Sequence, residues 1–178
     1  MNPLINEYAK PYTKDPHVYA KWIAASLPSD AEYYFVTLTE KQKYCGRGGQ
    51  DSLATRDRSD QNVAWFLRRL NRKIFGNAAR KYGKSLRVID CSEGGPEETH
   101  YIRGQRLRTY RRFHRHLLME KPNWMSEAKF QNILLNEWHR SDWSYQVEKI
   151  EAARSVEAVT KYILKQGPTS LSPATTTL

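Results

Sequence analysis

His114 and His116 flank Arg115 in the run Thr109–Glu120, TYRRFHRHLLME. In an extended strand, residues two apart point to the same face, so both imidazoles can reach one metal ion, for which imidazole is the commonest ligand. Two surface histidines on a half-exposed strand would give the same pattern. Two nitrogens alone rarely hold a catalytic metal, whereas a carboxylate from a neighbouring strand would complete a site with positions left open for phosphate oxygens and water. Asp90 and Glu93 are the candidates, and strand alternation puts them on opposite faces unless a bulge intervenes.

A second group lies near the C-terminus. At helical spacing Val156, Val159 and Ile163 form an apolar stripe, with Tyr162 and Lys165 about 60° apart on one flank of it. A boundary tyrosine that packs its ring and wets its hydroxyl is the everyday use of such a position. The chemical use is as a nucleophile: a phenol with a pKa near 10 becomes competent when a metal or cation stabilises the phenolate and the phosphate under attack. Lys165 is spaced to help.

The elements that must position these groups alternate between strand-like and helix-like runs, which makes the class α+β. His17–Leu27 reads as a short amphipathic helix and Tyr33–Thr39, YYFVTLT, as a strand. The polar, Gly-rich segment 46–61 reads as a mobile loop. Asn62–Tyr82 reads as a basic amphipathic helix, with Val63, Phe66, Leu67, Leu70 and Ile74 on one face and Arg68, Arg72 and Lys73 elsewhere. Leu86–Glu93 and Thr109–Glu120 read as strands able to form an antiparallel hairpin around Gly94, Gly95, Pro96 and Gly104. A helix at Glu127–Arg140 after Ser126, a strand at Tyr145–Ile150, and a last helix from Ser155 to Gln166 stopped by Gly167-Pro168 complete the order. Residues 1–30 are expected to be an N-terminal extension carrying the short helix, and 167–178 a disordered tail. Trp65, Trp138 and Trp143 are expected in the core.

With 29 Lys and Arg against 19 Asp and Glu, the net charge is +10, which points to a polyanionic partner and casts Arg68, Arg72 and Lys73 as phosphate contacts. No window approaches the roughly 18 consecutive apolar residues of a membrane span. Two cysteines without a CxxC pair suit a reducing cytoplasm and disfavour a thiolate zinc site. Gly83-Lys84-Ser85 does not make a P-loop, because Ala78 stands where that motif needs glycine and a helix rather than a strand precedes it, so no nucleotide cofactor is expected.

Three stretches in order resemble the motifs of the HUH endonucleases, specifically the single-tyrosine rolling-circle replication initiators (Rep proteins) of plasmids and filamentous phages. FVTLTE at Phe35–Glu40 resembles the first motif, RFHRHLLMEKP at Arg112–Pro122 the histidine metal motif, and VTKYILK at Val159–Lys165 the Tyr-x-x-Lys motif. SEGG from Ser92 is similar to the strand end that donates the acidic ligand, which favours Glu93 over Asp90. The resemblance spans residues 31–166 and implies a central antiparallel sheet of about five strands with packed helices. It further implies Mg2+ or Mn2+ on His114, His116 and Glu93, with Tyr162 as nucleophile assisted by Lys165. Thr37 and Thr39 would face single-stranded DNA, nicking would pass through a 5′-phosphotyrosine at an origin or element end, and a separate helicase would unwind duplex in a bacterial host cytoplasm. Arg115 departs from the family's apolar residue between the histidines, so the back of that strand is expected to be less buried or to face DNA. Two other classes stay open: a non-catalytic basic nucleic-acid-binding module, and a hydrolytic metallonuclease without a covalent intermediate.

Overall fold

The computed structural model describes residues 15–45, 51–53, 55–102, 105–165 and 167–177. Strand β1 (Glu32–Glu40, EYYFVTLTE) is rich in aromatic and β-branched side chains, which suit a pleated surface covered on both sides, and every residue after Glu32 is buried. Two further short strands, β2 (Lys43–Cys45) and β3 (Asp51–Leu53), pair with each other. In the main sheet β1 lies antiparallel between β5 (Gln105–Lys121) and β6 (Ser144–Ala152), and β4 (Val88–Ile102) pairs with the other side of β5. Bridges from Val88 to Thr177 and from Cys91 to Leu171 line the outer edge of β4. The sheet is thus four full strands with a fragmentary fifth, and the class is α+β.

Alternation along the strands sends side chains into two cores. Tyr34, Val36, Leu38, Leu117 and Met119 meet α2 (Arg56–Phe75) and α4 (Glu127–His139) on one face through Phe66, Leu70, Phe130, Leu134 and Trp138. Tyr33, Phe35, Ile89, Cys91 and Leu118 meet α1 (Pro16–Ser26) and α5 (Val156–Ile163) on the other through Tyr19, Ile23, Ile163 and Leu164. Caps fix where these helices begin: the Thr55 hydroxyl accepts the Arg58 amide at 3.3 Å, and the Ser155 hydroxyl accepts the Ala158 amide at 3.2 Å. Asp15 caps α1, with Pro16 at the position where a missing N–H costs nothing.

Several expectations need correction. The long basic helix starts at Arg56, inside the segment expected to be loop, and ends at Phe75; Gly76, at φ 55°, separates it from α3 (Asn77–Tyr82). The turn expected around Gly94 to Pro96 is instead the continuation of β4, whose pairing shifts register between Glu93 and Gly95; Gly104 lies outside the described residues. α1 belongs to the second core rather than to an extension. The tail expected to be disordered is packed: a 3-10 turn at Pro168–Ser170 leads to buried Ser172 and Thr175. Trp65 is 58% exposed, against the expectation of burial, whereas Trp138 is buried as expected. No helix among the described residues is long and apolar enough to cross a membrane.

Candidate active site

Register brings the candidate residues together. On the face covered by α1 and α5, His114 lies opposite Thr39 of β1 and opposite Glu93 of β4, and His116 lies opposite Thr37 and Cys91. Each threonine hydroxyl contacts the Nδ1 of its partner, at 3.2 Å for Thr37 and His116 and 3.3 Å for Thr39 and His114. Both rings are held by the inner nitrogen, the outer-shell arrangement that orients metal-binding imidazoles. Sequence resemblance marked the two threonines as DNA-facing; here they brace the histidines.

Asp90 sits two residues from Ser92 and three from Glu93, so alternation sends it to the opposite face, and of the two acids only Glu93 joins the histidines. The regular register ends just after Glu93, at Gly94. At φ 87°, with a Cβ that would collide with the Arg112 carbonyl, the position admits glycine alone, and Gly95 is similarly closed by the Phe113 ring 2.6 Å from its would-be Cβ. The two glycines let β4 press against β5 at the bulge immediately after Glu93.

Glu93 Oε2 takes His116 Nε2 at 3.0 Å and Lys165 Nζ at 2.9 Å. Partial burial alone would raise the carboxyl's pKa, but the Lys165 ammonium and the His116 ring outweigh it and leave the pKa below the usual range. His116 is shifted down, first by burial, against the pull of Glu93. A neutral His116 facing a carboxylate must carry its proton on Nε2, so Nδ1 accepts the Thr37 hydroxyl. Lys165 is held above its ordinary value, first by its hydrogen bond to Glu93.

Tyr162 completes the group. Its half-exposed ring stands edge-on to Phe35 at 5.7 Å and to His116 at 5.8 Å, with Lys165 Nζ 4.6 Å from its centroid. α5 ends at Ile163, short of the expected Gln166, and Lys165 occupies the tightened turn beyond, its amide donating to the Tyr162 carbonyl at 3.2 Å. The helix end thus keeps the ammonium beside the phenol. A cavity of about 520 Å³ in front of Tyr162 is lined by Phe35, Thr37, His116, Lys149 and Glu151. Lys149 and Glu151 escaped the sequence reading; the alternation of β6 was visible, but the register that sets them opposite Thr37 and Phe35 was not.

The donor set, two imidazoles and a carboxylate on one face, suits a divalent cation that accepts mixed nitrogen and oxygen ligands, with Lys165 the competing cation. Among the described residues no three His, Cys, Asp or Glu side chains are already drawn around one point. Coordination would need His116 Nε2 bare, which moves its proton to Nδ1 and turns the Thr37 hydroxyl from donor to acceptor, and a hydroxyl serves either way.

Arg115 and the basic helix fall elsewhere. Arg115 points to the opposite face and is 0% exposed, so neither expectation for the back of the strand holds. Its Nε and Nη2 grip Asp90, the first at 3.0 Å; Nη1 reaches Asp60 at 2.6 Å and Ser59 at 3.2 Å; Nη2 also reaches Ser172 at 2.8 Å. All five guanidinium N–H groups have acceptors. Arg68, Arg72 and Lys73 project from α2, across the sheet from the histidines. Comparison with protein-family models, curated proteins and solved structures finds no match for this chain.

Proposed function

We propose that this protein cuts and rejoins single-stranded DNA through a covalent link to Tyr162, with Mg2+ or Mn2+ held by His114, His116 and Glu93. The observation that supports this most is the half-exposed phenol standing over the same sheet face as the two braced histidines and Glu93, with an ammonium beside it. When bound, the cation supplies Lewis-acid polarisation of the scissile phosphate. Tyr162 Oη attacks phosphorus, the bond from phosphorus to the 3′ oxygen breaks, and the phenol's proton ends on the departing oxygen. The products are a 5′-phosphotyrosine and a free 3′-hydroxyl. Lys165 offsets charge that develops on the phenolate. Because the phosphotyrosine keeps the energy of the diester, attack by a 3′-hydroxyl reverses the step without ATP. The biological setting we propose is initiation of rolling-circle replication or element transfer in a bacterial cytoplasm, with a separate helicase.

A denaturing gel of the protein incubated with single-stranded oligonucleotides and Mn2+ tests this. A protein–DNA adduct is expected, with mass spectrometry placing the nucleotide on the peptide that contains Tyr162. Tyr162→Phe keeps the ring and its contacts, so it should bind DNA yet give neither adduct nor cleavage. Cleavage without adduct would instead assign a hydrolytic nuclease, and absence of cleavage a binding module.

A further inference from the structure

On the opposite face of the sheet, the outward side of α2 carries Arg58, Gln61, Trp65, Arg68 and Arg72 at spacings of three and four, which align them in one stripe. The N-terminal half of that stripe opens into a cavity of about 430 Å³, within the range of small-molecule sites, about 300–1,000 Å³. Its aromatic walls are Trp65 and Trp143, and Arg58, Arg69 and Arg140 line it with one acidic side chain, Asp142. Guanidinium groups already sit on both indoles: Arg68 lies 4.5 Å from the Trp65 centroid and Arg58 lies 6.0 Å from that of Trp143. The inner wall is fixed, since the Asn62 amide donates to buried Glu40 at 2.6 Å and accepts the Ser141 hydroxyl.

This combination has a chemical meaning. Flat aromatic surfaces left open on a rigid helix beside guanidinium groups are what an unstacked nucleobase and its phosphates require. We infer that this cavity receives one base of a single-stranded DNA segment, stacked on Trp65, with the flanking phosphates on Arg58 and Arg140. The position relative to the candidate active site fits one continuous strand. Both share the end of β1, where Thr39 braces His114 on one face and the next residue, Glu40, holds the cavity's Asn62 on the other. DNA leaving the histidine face therefore has to round only the sheet's end to reach it. The choice of ligand rests on the single-stranded DNA reading above; the pocket itself rests on its own geometry.

The test compares a short oligothymidylate with an abasic oligonucleotide of the same length, bound to the full chain without added divalent metal and followed by fluorescence anisotropy. Trp65→Ala should weaken binding of the oligothymidylate on the order of tenfold and leave the abasic strand unchanged, because stacking is lost while phosphate contacts remain. Trp65→Phe should restore most of the affinity. Arg72→Glu with Lys73→Glu, which alters charge alone, should weaken both strands alike. Equal losses on both strands for Trp65→Ala, or no loss on either, would overturn the inference. If the wild-type chain forms the Tyr162 adduct and Trp65→Ala still binds normally, the pocket assignment fails and the nicking reading survives. Base-dependent binding through Trp65 without any adduct leaves the pocket standing and removes the nicking reading.

Discussion

Replacing Arg115 by methionine keeps a long aliphatic stem and removes all five N–H donors from a side chain that is fully buried. Asp90, also 0% exposed, would lose its counter-charge and the paired hydrogen bonds, keeping only the Thr175 hydroxyl. Asp60, Ser59 and Ser172 each lose a donor as well, though Asp60 is 27% exposed on its side chain and can recover water. Removing one partner of a buried ion pair costs about 3–5 kcal/mol, mostly because a charge is left uncompensated. Against a total stability of about 5–15 kcal/mol for a domain, that is a loss visible in urea denaturation. Adding Asp90→Asn should recover part of the loss, since the uncompensated charge is gone. Ser172→Ala removes a buried hydroxyl that accepts from Arg115 and Arg56 and donates to Asp60, and should cost about 1–3 kcal/mol, less than loss of the ion pair. An Arg115→Met loss below about 1 kcal/mol would refute the reasoning, as would weakened DNA binding at unchanged stability, which would put the arginine at the DNA after all.

The two acids of β4 should separate cleanly: Glu93→Gln is expected to keep DNA binding and abolish Mn2+-dependent cleavage, whereas Asp90→Asn destabilises the fold while its folded fraction still cleaves, and the reverse pattern in a paired denaturation and nicking assay would reassign the acidic ligand. Alkali should also unfold the protein early. Burial pushes the Cys91 thiol from 9.0 up to about 12 and the Tyr33 phenol from 10.0 up to about 12. The folded state keeps protons that the unfolded chain gives up, so stability is full below pH 9.0 and falls as pH climbs toward 12. A urea midpoint unchanged between pH 9.0 and pH 10.0 would contradict this.

Local pattern carried the candidate site a long way. His114 and His116 share a face because strands alternate, Glu93 parts from Asp90 for the same reason, and the flank of a helical stripe put Lys165 beside Tyr162. What remained illegible depends on partners distant in sequence. Arg115 looks like a surface residue because its acceptors lie 25, 55, 56 and 57 positions away. The tail SLSPATTT reads as solvent-loving because its hydroxyls carry no mark of their use, yet Ser172 and Thr175 close the Arg115–Asp90 network. Helix α2 was placed by its apolar stripe, but its start depended on Thr55, a cap hidden in a segment rich in other polar residues. The same stripe could not say that its outward side faces away from the histidines, since that follows from which sheet face the helix covers.

Strand β5 writes two messages in alternate letters. Even positions His114 and His116 address the cavity, and the odd position Arg115 between them anchors the opposite layer. Threading β5 one residue out of step would drive the guanidinium among the threonines of β1 and leave Asp90 facing an imidazole. A misthreaded copy is therefore crippled in chemistry and in cohesion together, and it would fall to proteolysis rather than persist as an inert competitor on DNA.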